Sequence, residues 1–101
     1  MSFLIAAPQL LESAATDLAN IGGIIGDANS AAAAATIGVL PAGADEVSAT
    51  ISGLFAAHGQ AYRALSGQAA LFHQQFVQIL NAGAGRYAVA ESDATRLIAQ
   101  L

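Results

Sequence analysis

Residues 11–39 read LESAATDLANIGGIIGDANSAAAAATIGV, and their spacing decides the fold. Leu11, Ala14, Leu18, Ile21, Ile25, Ala28, Ala32, Ala35 and Val39 succeed one another in alternating steps of three and four. Side chains spaced this way share one face of an α-helix, as in a coiled-coil seam. Ser13, Asp17, Asn20 and Asp27 fall away from that face. Pro8 suits a first helical turn, where its missing N–H costs nothing. Helix one is therefore predicted over about 8–37. Gly22, Gly23 and Gly26 weaken it by ~1 kcal/mol each relative to alanine. With the bare alanine run 31–35, they predict close approach of a neighbouring backbone.

Moving outward, Gly38 and Pro41 predict a helix stop. Asp45 predicts an N-cap, and Glu46 places negative charge in the first turn of a second helix. A connection this short makes the helices antiparallel neighbours. Helix two is predicted over about 45–82, with two heptad lines four residues apart. One is Ile51, His58, Leu65, Phe72 and Ile79; the other is Phe55, Tyr62, Ala69 and Phe76. Gln60, Arg63, Gly67, Gln74, Gln78 and Asn81 form a polar line opposite. Two helices make a single layer, which leaves apolar stripes half wet. One alanine-rich helix is too narrow to cover the aromatic face. The expected fold class is all-α, an antiparallel two-helix hairpin that completes a four-helix bundle with a partner protein. From the residues alone, the stripe divides in either way between contacts within the chain and contacts to a partner. Beyond Asn81, Gly83 and Gly85 loosen the helix. Residues 88–101 read equally as more helix, with Leu97, Ile98 and Leu101 at helical spacing, as a frayed tail or as the start of a linker.

A chain of 101 residues allows one domain. Apolar residues are 55% of it, but alanine supplies nearly half of these, so bulk for a core is thin. The net charge is −4, with no lysine and only Arg63, Arg86 and Arg96 as cations. Nucleic-acid binding needs clustered basic residues to release counterions, and an anionic membrane surface needs a basic face. Both are disfavoured. With no cysteine, disulfides and thiolate metal sites are excluded. The N-terminal residues, MSFLIAAP, lack the basic start and apolar run of a secretory signal peptide. The longest uncharged stretch, 64–85, carries His73 and several glutamines, so a lipid-spanning helix is not expected. Export would need another route.

Chemistry at individual residues is sparse. His58 and His73 lie fifteen residues apart, roughly 22 Å along a helix, too far to share a metal. His58, inside the apolar stripe, is expected to be a hydrogen-bonded interface residue and His73 to be solvated. Asp45-Glu46 reads as cap chemistry rather than a catalytic dyad. No serine sits in a Gly-x-Ser-x-Gly turn, and Gly22, Gly23 and Gly26 follow no strand that could carry a phosphate loop. The expectation is a non-enzymatic chain with no catalytic, cofactor or metal site and no small-molecule substrate.

Two segments are more specific than any helix pattern. These are LPAGADEVS at 40–48 and NAGAGRYAVAE at 81–91. With the hairpin they make the chain resemble the mycobacterial PE proteins, N-terminal domains exported by type VII (ESX) secretion systems. The resemblance covers about 1–93 and leaves 94–101 as a tail or the start of a linker. It implies a hairpin that heterodimerises with a PPE protein into a four-helix bundle in the cytoplasm. A secretion chaperone would contact mainly the PPE subunit, and the pair would be exported folded, to be secreted or held at the cell surface. The family's secretion signal, Tyr followed after three residues by Asp or Glu, falls on Tyr87 and Glu91, which share one face if helical. The residues expected to meet the partner are Leu11, Leu18, Ile21 and Ile25 on helix one. On helix two they are Ile51, Leu54, Phe55, Tyr62, Leu65, Phe72, Phe76 and Ile79. One departure is plain: the Pro-Glu pair that names the family is Pro8-Gln9 here, which removes a carboxylate from the first helical turn. The rival readings are a self-associating homodimeric structural protein and a membrane-active amphipathic hairpin.

Overall fold

A computed structural model describes residues 5–101. The first four residues, which open the domain expected over 1–93, lie outside the described residues. The described chain forms two helices, α1 (Pro8–Ile37, 30 residues) and α2 (Glu46–Ala99, 54 residues), packed as an antiparallel hairpin.

Local chemistry sets the helix ends. Pro8 opens α1, and the Leu10 N–H donates to the Ala7 carbonyl at 3.0 Å. At the far end the Gly38 N–H donates to the Ala34 carbonyl at 2.9 Å. Among the described residues no glycine has a positive φ, so Gly38 is not a left-handed cap. Pro41, three residues on, bars simple continuation. Asp45 caps α2: its Oδ2 accepts the Ser48 N–H at 3.1 Å and its Oδ1 accepts the Ser48 hydroxyl at 2.9 Å. The Ser48 N–H and then the Ser48 hydroxyl hold the Asp45 carboxyl below its ordinary value of 3.8. Glu46 in the first turn and Arg96 in the last complement the helix dipole.

α2 does not end near 82. It runs through Gly83 and Gly85 to Ala99, so residues 94–99 are helical rather than a tail. Two glycines cost about 2 kcal/mol of helix propensity, but neither removes a backbone donor as proline would. Packing opposes that cost, since Ala84 between them is 0% exposed and Gly83 is half-buried.

The described residues divide into two compact units, Gly22–Phe72 and 5–21 with His73–Leu101. In the first, Gly22, Asn29, Ala33 and Ile37 of α1 and Ser48, Ser52, Ala56, Gly59 and Ser66 of α2 are the half-buried or buried positions. A Cβ added at Gly59 would lie 2.6 Å from the Thr36 carbonyl oxygen. The close approach expected at Gly23 and Gly26 is not there, because a Cβ at either meets nothing within 4 Å. Helical phase explains Gly23, which is turned about 100° from Gly22, whereas Gly26 lies in the stripe of Gly22 and Asn29 and still has open space beside it. The Tyr62 hydroxyl donates to Asn29 Oδ1 at 3.1 Å.

In the second unit the inward positions are Pro8, Leu11, Ala15 and Leu18 on α1 and His73, Val77, Leu80, Gly83, Ala84 and Glu91 on α2. Ala15, like Ala84, is 0% exposed. His73, expected to be solvated, is half-buried and its Nε2 meets the Leu18 carbonyl oxygen. A carbonyl only accepts, so Nε2 carries the proton. The Ala6 N–H donates to Glu91 Oε1 at 2.9 Å.

Gly59→Ala should lower the stability of the hairpin by about 1–3 kcal/mol, because the new methyl meets backbone that cannot rotate away. Gly67→Ala, where a Cβ meets nothing within 4 Å, should instead raise it by about 0.5–1 kcal/mol. Thermal unfolding followed by circular dichroism compares the two, and equal midpoints would show that α2 does not approach Thr36 through residue 59. The Asp45 cap carries a pH dependence of definite sign. Its folded-state carboxyl is depressed, so its contribution is present above the ordinary 3.8 and is lost as pH falls through the folded value. Asp45→Asn keeps the acceptor and should flatten this acid limb of a stability–pH profile.

Candidate partner-binding face

Most large apolar residues of α2 lie off its contact with α1, Val77 and Leu80 being the half-buried exceptions. Several of the exposed ones precede by one residue a position that faces α1. In the unit Gly22–Phe72, Ile51, Phe55, His58 and Leu65 stand before Ser52, Ala56, Gly59 and Ser66. In the other unit, Phe76 and Ile79 stand before Val77 and Leu80. A step of one residue turns a helix by about 100°. In the unit Gly22–Phe72 a small line therefore faces α1 and the bulky line emerges on its flank, and in the other unit Val77 and Leu80 face α1 while Phe76 and Ile79 emerge.

Exposure follows this phase. Phe72 is 71% exposed and Ile79 70%, and Ile51, Leu54, Phe55, Tyr62, Leu65 and Phe76 are also exposed. On α1, Ile21 and Ile25 are exposed too, while Leu11 and Leu18 are half-buried against α2. The twelve expected contact residues thus separate into ten that present apolar surface and two that the hairpin half covers. Tyr62 is tied at its hydroxyl to Asn29 and leaves its ring outside. Free-standing soluble chains seldom expose so many large apolar side chains in register, and such faces mark protein interfaces.

His58, expected as a hydrogen-bonded interface residue, stays exposed within the chain. It lines an open groove of about 180 Å³ with Asn29, Thr36, Tyr62 and Arg63. Among the described residues there is no group of three or more His, Cys, Asp or Glu placed to hold a metal ion. Among them also, no helix is long and apolar enough to cross a membrane.

Tyr87 and Glu91 both lie on α2, one turn apart, and their environments differ. The Tyr87 ring is 52% exposed. Glu91 is half-buried with one carboxylate oxygen on the Ala6 N–H. The pair is presented as an exposed ring beside an anchored acid, not as two free groups.

Sequence reasoning passed over Gly59 and Asn29. For Gly59 a signal was available: Ser52, Gly59 and Ser66 are small residues at a strict period of seven, next to a bulky line of the same period.

A family model described as PE family matches residues 4–94. Among similar proteins of Mycobacterium tuberculosis, PE-PGRS family protein PE_PGRS8 is 66% identical over 92 residues, covering 91% of this chain and 53% of that protein. PE_PGRS34 is 64% identical over 92 residues, with 91% and 18% covered. PE_PGRS47 is 57% identical over 101 residues, with 100% and 19% covered. The chain thus spans from under a fifth to about half of the length of these relatives.

If the division of faces is right, Phe72→Ala should change the hairpin's own unfolding by less than about 0.5 kcal/mol. Leu80→Ala, one helical step past Ile79 and half-buried against α1, should cost about 1–2 kcal/mol. Chemical denaturation of both variants checks this, and a larger loss at Phe72 would reverse the assignment of inner and outer faces.

Proposed function

This chain belongs to the PE family, and from that premise we propose that it is a secreted interaction module that pairs with a PPE protein and carries a type VII secretion signal. The observation that carries the proposal is the exposed apolar line on α2, with Phe72 and Ile79 each about seven-tenths open to solvent. A second helix pair laid over this line would remove it from water and convert a single layer into a four-helix bundle. The contact set is Ile51, Leu54, Phe55, Tyr62, Leu65, Phe72, Phe76 and Ile79 of α2 with Ile21 and Ile25 of α1. Leu11 and Leu18 contribute at the edge of the hairpin contact. The module binds and does not catalyse.

Assembly precedes export in this reading. The PPE subunit would carry the contact to a secretion chaperone in the cytoplasm, and the hairpin would offer Tyr87 and Glu91 to the ESX machinery. The folded pair would then be secreted or held at the cell surface. The exposed Tyr87 ring supports this role, since a receptor can reach it without unfolding α2.

Co-expression of the chain with PPE proteins, followed by size-exclusion chromatography with light scattering, tests the pairing. The expected result is a chain that is poorly soluble alone and becomes a monodisperse one-to-one complex with its partner. A monodisperse homodimer that melts cooperatively and ignores every PPE protein would establish the rival reading. Within the complex, Phe72→Ala or Ile51→Ala should cost about 2–5 kcal/mol of stability. Tyr87→Ala should abolish export while leaving the complex intact, measured by comparing culture filtrate with cell lysate.

A further inference from the structure

We propose that Glu91 is a positioning residue that clasps the N-terminus of α1 onto α2. On this proposal the export signal is composite, made of residues 5–7 together with the Tyr87–Glu91 turn. It rests on the reading of Tyr87 and Glu91 as the signal.

α1 lacks the means to cap itself. The residue before Pro8 is Ala7, which has no side-chain oxygen to accept an orphan N–H. The first turn holds no acidic residue, and Gln9 contributes only a neutral amide there. The positive end of a 30-residue helix is thus left without a local carboxylate. Glu91 supplies one from the other helix: its Oε1 accepts the Ala6 N–H at 2.9 Å, across 85 residues of sequence. Hydrogen bonds to a charged acceptor are among the stronger ones.

Geometry makes the contact specific to this residue. Only because α2 continues past Gly85 does residue 91 come opposite the start of α1. Two turns earlier, the fully buried Ala84 holds the helices close enough for a glutamate arm to span the gap. Tyr87 lies midway between this contact and the clasp, on the turn that both ends hold. The clasp therefore fixes the rotamer of Glu91 and the attitude of the turn that displays Tyr87. A receptor meets a held acid and a held ring, and meets residues 5–7 beside them.

The test uses the tagged full chain in a mycobacterial host that supplies its PPE proteins, with export and PPE co-purification scored together. Ala6→Pro deletes the donor without touching Glu91, and Ala6→Gly retains it. The expected outcome is about a tenfold fall in export for Ala6→Pro, near-normal export for Ala6→Gly and unchanged co-purification. Hydrogen exchange on the purified complex should show the Ala6 amide exchanging about tenfold faster in Glu91→Ala. Glu91→Asp keeps the Tyr-x-x-x-acid pattern but shortens the arm by one methylene, and it too should export poorly. It decides the matter if Ala6→Pro fails to assemble. Normal export of Ala6→Pro or of Glu91→Asp, beside blocked export of Tyr87→Ala, would overturn the clasp and leave the signal standing. Normal export of Tyr87→Ala would remove the signal itself and the composite with it. An unchanged Ala6 exchange rate in Glu91→Ala would overturn the clasp whatever the export result.

Discussion

Where α2 passes the Thr36 carbonyl of α1, there is room for the hydrogen of Gly59 and for nothing larger. Helices that approach this closely need small side chains along the line of contact, and α2 provides Ser52, Ala56, Gly59 and Ser66 there. Committing the small residues inward turns the next-door heptad line outward, since neighbours in sequence diverge by about 100°. The exposure of Ile51, Phe55 and Leu65 is a geometric consequence of how the hairpin closes.

A contact made of small side chains is smooth, and smooth surfaces hold register weakly. Polar ties make good that weakness. Tyr62 on Asn29 pins one unit, and His73 on the Leu18 carbonyl and Glu91 on the Ala6 amide pin the other. Each joins a side chain of α2 to a polar atom of the segment opposite, so a slip of one turn would break it. Burial adds little by itself, because the fully buried hydrophobic residues among those described are the alanines Ala15 and Ala84. Specificity of alignment within the chain and free energy of association with another chain thus reside in different residues.

That separation suits the proposed role of a module completed by a partner. A hairpin that spent its aromatics internally would be more stable alone and would have nothing to offer a PPE protein. The relatives PE_PGRS8, PE_PGRS34 and PE_PGRS47 carry the matching stretch as a fraction of a longer protein. On the proposed reading Glu91 would serve both tasks, holding the Ala6 amide and belonging to the pair offered to the export machinery.

The helices, their antiparallel order and the Asp45 cap are legible in the sequence because they depend on neighbours. Pro8, Gly38, Pro41 and the Asp45–Ser48 spacing act within one or two turns of where they stand. The apolar lines from which the twelve proposed contact residues are drawn are legible for a similar reason: bulk and period can be counted. Which face meets which helix is not, because a bulky and a small heptad line one residue apart look alike to any periodicity. Only the packed pair selects between them, through the clearance at Gly59. The same limit hid the fate of His73 and the tie of Glu91 to Ala6, each settled by a backbone atom of the opposite segment at a separation in sequence that no local pattern spans.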